Sequence, residues 1–208
     1  MGTVTQGWIR QELAAFLWRA ARDPRHEVEL AFVNDRPIPS ARNRLVRDHL
    51  LPGGWDFLLS VDSDVWPGGN LLDLAEDNLD VVYFPTPAWR SGSHPPVVAA
   101  ITLPGEGAGM VDVSGGGLIP ISSGGSAFMA ARRVFEQVSP PWFADDFDAL
   151  GILTGTEDRH FCGKAREAGF QVWAALGYPC GHFKEVNVAE AWAAICKGWN
   201  PGTGEGQS

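Results

Sequence analysis

The stretch that decides the fold is "FLLSVDSDVWP", residues 57–67. A mostly apolar run, 57–61, ends directly in Asp62, Ser63 and Asp64. A short, nearly continuous apolar run is typical of a strand that is covered on both faces of a sheet. Charge is costly where a strand is buried. Two carboxylates at the end of such a strand therefore raise the question of what they hold.

Segments on both sides of this strand alternate between helical and extended patterns. Helices are predicted at 7–21, 40–51, 70–77, 157–169 and 187–199, and strands at 28–33, 56–61, 80–84 and 170–176. This alternation predicts an α/β fold with a mostly parallel, Rossmann-like sheet flanked by helices. Residues 86–126 are rich in Gly, Pro and Ser and predict an irregular β region. We expect one domain over residues 1–199 and a disordered tail at 200–208.

The composition restricts the class of protein. With 208 residues, 45% of them hydrophobic, and nine tryptophans, the chain is long and apolar enough for a globular core. The net charge of −9 argues against a protein that mainly grips phosphate backbones or anionic membranes. Three cysteines, no signal peptide and no apolar run near the ~18 residues of a membrane span predict a cytoplasmic protein.

Asp62 and Asp64 are candidate metal ligands. In parallel α/β sheets, ligands bind beyond the carboxyl ends of the strands. Residues i and i+2 of an extended chain point the same way, about 6.5 Å apart, so both carboxylates are able to face one cation. Paired oxygen ligands suit Mg²⁺ or Mn²⁺. The alternative is local capping of the chain before the turn at Pro67 and Gly68.

A second alternative is a phosphatase of the haloacid dehalogenase type. Sequences of that type also carry D-x-D after an apolar strand, and Asp62 would then be the nucleophile. "ADDFD", 144–148, imitates their second acidic motif. Trp66 stands where those sequences carry a small residue, and a whole strand–helix region precedes the motif, so this alternative ranks lower.

Five motifs in order resemble the small single-domain glycosyltransferases of the GT-A fold, of the bacterial and phage type. They are the Ala-Arg-Asn helix at 41–43, the D-x-D motif at 62–64, the glycine-rich strand from 124, the Glu-Asp pair at 157–158 and "CGH" at 180–182. No single motif is decisive. Their order across residues 41–182 carries the resemblance.

The resemblance implies a donor site for a nucleotide-sugar, most often a UDP-sugar. Asp64 would coordinate Mn²⁺ or Mg²⁺ that bridges the diphosphate, and Asp62 would support the ribose or the metal. His182 resembles the late metal ligand of the family. Arg42 and Asn43 would lie near the nucleotide. Without the family, Arg42 reads as a surface helix residue and His182 as an ordinary loop histidine.

The resemblance also implies an acceptor site and an inverting reaction. Asp158 would take the proton of the acceptor hydroxyl, and Glu157 would orient the site or bind the acceptor. The alternative is that both carboxylates only favour the dipole of their helix. Gly124 and Gly125 would let the backbone approach the sugar. Trp142 would stack on a sugar or acceptor ring, although core packing is the default for a tryptophan.

The resemblance leaves the acceptor open among a glycan, a protein, a modified nucleobase and a small molecule, and the acidic balance of the chain disfavours nucleic acid. Family members begin with a strand that carries part of the nucleotide pocket, whereas "MGTVTQGW" begins at about the following turn. We therefore expect the opening strand to be missing or very short.

A function of another class, a non-catalytic module for nucleotides or sugars, would bind the donor without turnover.

Overall fold

A seven-stranded sheet forms the centre of the computed structural model, which describes residues 1–5, 7–34, 36–89, 97–105, 115–185 and 188–198. The strands are β1 (Gly2–Val4), β2 (Ala31–Val33), β3 (Phe57–Val61), β4 (Val65–Pro67), β5 (Val81–Tyr83), β6 (Pro87–Trp89), β7 (Val97–Ala99), β8 (Leu118–Pro120), β9 (Ala127–Ala131), β10 (Asp146–Phe147), β11 (Leu153–Gly155), β12 (Val172–Ala175) and β13 (Cys180–His182).

The central sheet is mainly parallel. Its order is β2-β1-β3-β9-β5-β12-β8. β1 runs parallel to β2 and β3, and β5 runs parallel to β12. β9 lies antiparallel between β3 and β5, and β8 lies antiparallel to β12 at the edge. β1, β2, β3, β5 and β12 therefore share one direction, which confirms the predicted α/β fold.

Helices cover both faces of the sheet. They are α1 (Gln11–Ala20), α2 (Ile38–Arg44), α3 (Leu51–Gly53), α4 (Arg132–Gln137), α5 (Glu157–Glu167) and α6 (Val188–Gly198); a π-helical segment, Leu45–Leu50, joins α2 to α3, and a 3₁₀ segment spans Leu71–Asp77. In the described part of the chain, no helix combines the length and apolarity needed to cross a bilayer.

The helices pack against the sheet through two apolar clusters. One cluster joins α2, the π-helical segment, α4 and α5 to the sheet, and the other joins α1 and the 3₁₀ segment to it. β3 contributes to both, since Leu58 belongs to the first cluster and Leu59 to the second. This explains the nearly continuous apolar run of the sequence, because both faces of the strand are covered.

The opening strand is present and short. Residues Gly2–Val4 pair with β2 along their whole length and with β3 at Gly2, which lies opposite Ser60. Its pattern is hard to recognise in the sequence, because three residues are too few to show a period. Other predictions lie outside the described residues: the tail 200–208 and, in the Gly- and Pro-rich region, 90–96 and 106–114.

Candidate functional site

A cavity of about 470 Å³ lies at the carboxyl ends of β1 and β3. Its wall includes Thr5 and Trp8 after β1, residues 62–64 after β3, and the beginning of α2. Glu157, from the first turn of α5, and Lys184, just after β13, complete the acidic and basic part of the wall. The size is that of a small-molecule site, and the position is the one where parallel α/β sheets bind ligands.

The chain turns sharply between the two aspartates. The amide of Val65 donates to the carbonyl of Asp62 at 3.0 Å, and β4 begins at Val65. Residues 62–64 therefore do not continue the strand, and the extended spacing expected between Asp62 and Asp64 is not present. The turn gives each carboxylate a different set of partners.

Asp62 belongs to a cluster around the buried guanidinium of Arg42. The Arg42 side chain is 1% exposed. Its Nη2 donates to Asp62 Oδ1 at 3.1 Å, and its Nη1 donates to Glu157 Oε1 at 3.1 Å and Asp158 Oδ1 at 2.5 Å. The guanidinium of Arg42 thus joins the strand that ends in D-x-D to the helix that begins with the Glu-Asp pair. Arg42 is a structural link between the two acidic motifs and is not a surface helix residue.

Three carboxylates around one guanidinium carry an excess of negative charge. Burial raises the pKa of Asp158 most, Arg42 opposes this, and the charges of Glu157 and Asp62 raise it further, to about 8. Burial likewise raises the pKa of Glu157, against the opposing effect of Arg42. The cluster therefore retains a proton at neutral pH, and Asp158 holds it most strongly.

The retained proton makes stability depend on pH. Unfolded aspartate has a pKa of about 4, whereas folded Asp158 titrates near 8, so unfolding releases a proton between these values. The free energy of unfolding is therefore expected to fall as pH rises from 5 to 8, with a slope of up to ~1.4 kcal/mol per pH unit. Asp158→Asn should flatten this slope in urea titrations at several pH values. The exposed control Asp77→Asn should keep it, and an unchanged slope in Asp158→Asn would contradict the account.

Asp64 faces the end of β13. The antiparallel pairing of β13 with β4 places His182 opposite Val65, and the amide of Phe183 donates to the carbonyl of Asp64 at 2.9 Å. Gly181 permits this pairing, because a Cβ at this position would lie 2.0 Å from the ring of Trp66. His182 is thus brought from the end of the sheet to the D-x-D turn.

His182 presents a buried nitrogen without a hydrogen-bond partner. Its Nδ1 lies 2.7 Å from the carbonyl oxygen of Pro87, which requires a proton on Nδ1. Its Nε2 is buried, makes no hydrogen bond and lies 3.3 Å from Asp64 Oδ2. In a neutral ring, a lone pair therefore faces a carboxylate oxygen, an arrangement that a cation between them would stabilise.

This pair fits a divalent cation. A ligating histidine usually donates its other ring N–H to a carbonyl or carboxylate, as His182 does. Among the described residues, no three His, Cys, Asp or Glu side chains lie together in an arrangement that could hold a metal ion. Mg²⁺-type ions need only one or two carboxylates when a substrate phosphate supplies further oxygens. Asp64 and His182 would hold the ion. Burial raises the pKa of Asp64, but His182 and Lys184 lower it by more, to about 2, so this carboxyl group is ionised.

Asn43 and Trp142 lie together, but the cavity wall includes neither. The Asn43 amide donates to the carbonyls of Pro39 and Phe143 and accepts from the backbone N–H groups of Trp142 and Phe143. Trp142 is 7% exposed, and its indole donates to the carbonyls of Phe135 and Val138. Asn43 therefore ties α2 to the 142–143 segment, and Trp142 packs in the core.

Gly124 and Gly125 also have packing partners and are not part of the cavity wall. A Cβ on Gly124 would lie 2.2 Å from the ring of Tyr83, and one on Gly125 would lie 2.9 Å from the Cβ of Ala100. The absence of a side chain lets this segment pass close to its neighbours. Close packing accounts for both glycines without a sugar.

The structure adds three residues that the sequence did not single out. Trp8 is 51% exposed and lines the cavity after β1. Lys184 lies with Nζ 2.7 Å from Asp64 Oδ2, and Asp145 lines the cavity near Glu157. Trp8 was missed because the short first strand was not recognised. Lys184 stands two residues after His182, which is the signal that would have placed it in the site.

Comparison with known proteins shows the fold. No family model matches the sequence, and no curated protein matches it. Among solved structures, A197 from STIV superposes with a TM-score of 0.62 at 16% identity, over 88% of this chain and 84% of that one. GalNAc-T7, solved with UDP, GalNAc and Mn²⁺, gives a TM-score of 0.50 at 13% identity, over 89% of this chain but 37% of its own length. The chain therefore has a GT-A-like α/β fold.

Proposed function

We propose that this protein is a glycosyltransferase that moves a sugar from a nucleotide-sugar to a hydroxyl acceptor with the aid of Mn²⁺ or Mg²⁺. The observation that carries the proposal is the buried Nε2 of His182, which makes no hydrogen bond and lies 3.3 Å from Asp64 Oδ2, a carboxylate in the wall of the cavity. When bound, the ion stabilises the charge of the departing nucleoside diphosphate. Mn²⁺ and UDP in GalNAc-T7 agree with this choice of cofactor and donor.

The nucleobase is assigned to the wall formed after β1. The hydroxyl of Thr5 donates to the carbonyl of Trp8 at 2.7 Å and accepts from the amide of Gly7, which fixes the turn that presents the indole. Arg10 lies over both the Trp8 ring and the Phe183 ring, 5.4 and 4.3 Å from their centroids. This stack holds an exposed aromatic face beside the cavity, where a base can stack on it.

Trp8→Ala is expected to weaken the binding of UDP about tenfold or more, since stacking of one base contributes roughly 1–3 kcal/mol. Isothermal titration with UDP in the presence of Mn²⁺ measures the change. Trp18→Ala is the matched control, because Trp18 is 63% exposed and is not part of the cavity wall. Equal UDP affinity in Trp8→Ala and the wild type would exclude the stacking role.

The acidic pair is assigned to the acceptor. The acceptor oxygen attacks the anomeric carbon, the bond from that carbon to the phosphate oxygen breaks, and the hydroxyl proton passes to Asp158. Because the pKa of Asp158 is about 8, only its ionised form accepts this proton, and the rate of transfer is expected to rise as pH rises toward 8. Glu157, which lines the cavity, contacts the acceptor. Asp158→Asn should therefore lower kcat chiefly, whereas Glu157→Gln should raise the KM of the acceptor.

The phosphatase alternative requires Asp62 as a free nucleophile. In this structure both oxygens of Asp62 lie near Arg42 Nη2, at 3.1 and 3.4 Å. A carboxylate held by a buried guanidinium is a weak nucleophile, because attack would break its charge-assisted hydrogen bonds. The geometry therefore favours the transferase over the phosphatase.

Thermal unfolding against a panel of nucleoside diphosphates and nucleotide-sugars, with and without Mn²⁺, tests the proposed function. A ligand at 100 times its dissociation constant stabilises the protein by about 2.7 kcal/mol. Stabilisation that needs nucleotide and Mn²⁺ together supports the donor site, and release of nucleoside diphosphate from a nucleotide-sugar separates an enzyme from a non-catalytic module. Cooperative melting without any shift, together with hydrolysis of phosphate esters, would favour the phosphatase.

A further inference from the structure

Lys184 contacts the carboxylate oxygen that is assigned to the metal. Its Nζ lies 2.7 Å from Asp64 Oδ2, and the same oxygen lies 3.3 Å from His182 Nε2. The Lys184 side chain is 49% exposed and lines the cavity. A positively charged group of the protein itself therefore stands at the mouth of the candidate cation site.

An ammonium group and a divalent cation repel each other when they share one carboxylate oxygen. A cation held by Asp64 Oδ2 and His182 Nε2 therefore weakens the hold of Asp64 on Lys184. The lysine stem is long, flexible and half exposed, so Nζ is free to swing into the cavity. A diphosphate that arrives with the cation brings further negative charge to the place where this ammonium would move.

We propose that Lys184 is a removable counter-ion: it neutralises Asp64 before the donor binds, yields this carboxylate to the cation, and then pairs with the diphosphate of the donor. This inference rests on the proposed function and adds a residue that binds the donor. Lys184 opposes the binding of the cation alone and favours the binding of the cation with the nucleotide.

Lys184→Gln separates these two effects. Without nucleotide, the variant is expected to bind Mn²⁺ up to about fivefold more tightly than the wild type, because a part-exposed ion pair no longer competes. With saturating Mn²⁺, it is expected to bind UDP about tenfold more weakly, because one charge-assisted hydrogen bond is lost. Electron paramagnetic resonance of free Mn²⁺ gives the first affinity, and isothermal titration with UDP gives the second.

Arg47→Gln is the matched control, since it removes one positive charge from a side chain that is 65% exposed and paired with Asp48. It should leave both affinities unchanged. Opposite changes in Lys184→Gln alone support the proposal, as does Mn²⁺ binding that appears only in this variant. Mn²⁺ affinity in Lys184→Gln that is equal to or weaker than in the wild type overturns it. If the wild type and both variants bind neither Mn²⁺ nor UDP, the proposed function is overturned as well. This outcome differs from the one that overturns the role of Lys184 alone, in which the wild type still binds both.

Discussion

Asp64→Asn is expected to lower sugar transfer by about 10²–10³-fold, the size of effect seen when one charge-stabilising group is removed from an active site. It should also abolish the part of nucleotide binding that depends on Mn²⁺. The substitution keeps the shape of the side chain but removes the charge that attracts the cation. An asparagine amide in this place is able to donate to His182 Nε2, which lies 3.3 Å from the present Oδ2, so the fold should be retained.

The measurement is the release of nucleoside diphosphate from a nucleotide-sugar with acceptor present, over a range of Mn²⁺ concentrations. Asp77→Asn is the control, because it removes an equal charge from an exposed position. Transfer by Asp64→Asn at the rate of the wild type, with the same Mn²⁺ dependence, would mean that the cation does not bind at this carboxylate.

Arg42→Met is expected to destabilise the protein by about 3–5 kcal/mol, the usual cost of removing one partner of a buried ion pair. The guanidinium is buried among three carboxylates and lies over the rings of Phe128 and Phe143. Methionine fills part of the space but leaves Asp62, Glu157 and Asp158 without their cation. Urea unfolding at pH 7 gives the free energy of unfolding directly.

A double variant separates charge from packing. Adding Asp62→Asn to Arg42→Met removes one of the stranded carboxylates and should recover part of the lost stability. Arg47→Met, at an exposed position, should change stability by no more than about 0.5 kcal/mol. Arg42→Met as stable as Arg47→Met would show that the buried cluster contributes nothing to the fold.

The order of helices and strands follows from the sequence wherever periodicity is long enough to read. The apolar run 57–61 becomes β3, and the helix predicted at 157–169 becomes α5, which ends two residues before Gly169, a glycine with φ +90°. β1 has only three residues, so its place in the sheet depends on pairing with β2 and β3 rather than on its own pattern. Such tertiary pairing is not visible in a local window of sequence.

The site was predictable in its residue types but not in its contacts. The acidic motifs and His182 could be placed at one edge of the sheet because the carboxyl ends of parallel strands meet there. The turn after Asp62 and the burial of Arg42 decide which carboxylates pair with the guanidinium and which one faces His182. These contacts depend on packing, since Arg42 lies 20 residues from Asp62 and 116 residues from Asp158 in the sequence. Local spacing carries no information on such contacts.

The most direct test of the central claim is a crystal structure with UDP and Mn²⁺, with anomalous diffraction used to locate the ion. We predict one strong anomalous peak within coordination distance of both an Asp64 oxygen and His182 Nε2, joined to the diphosphate. Nucleotide bound in the cavity with no peak beside Asp64, or a peak held by other residues, would contradict the account.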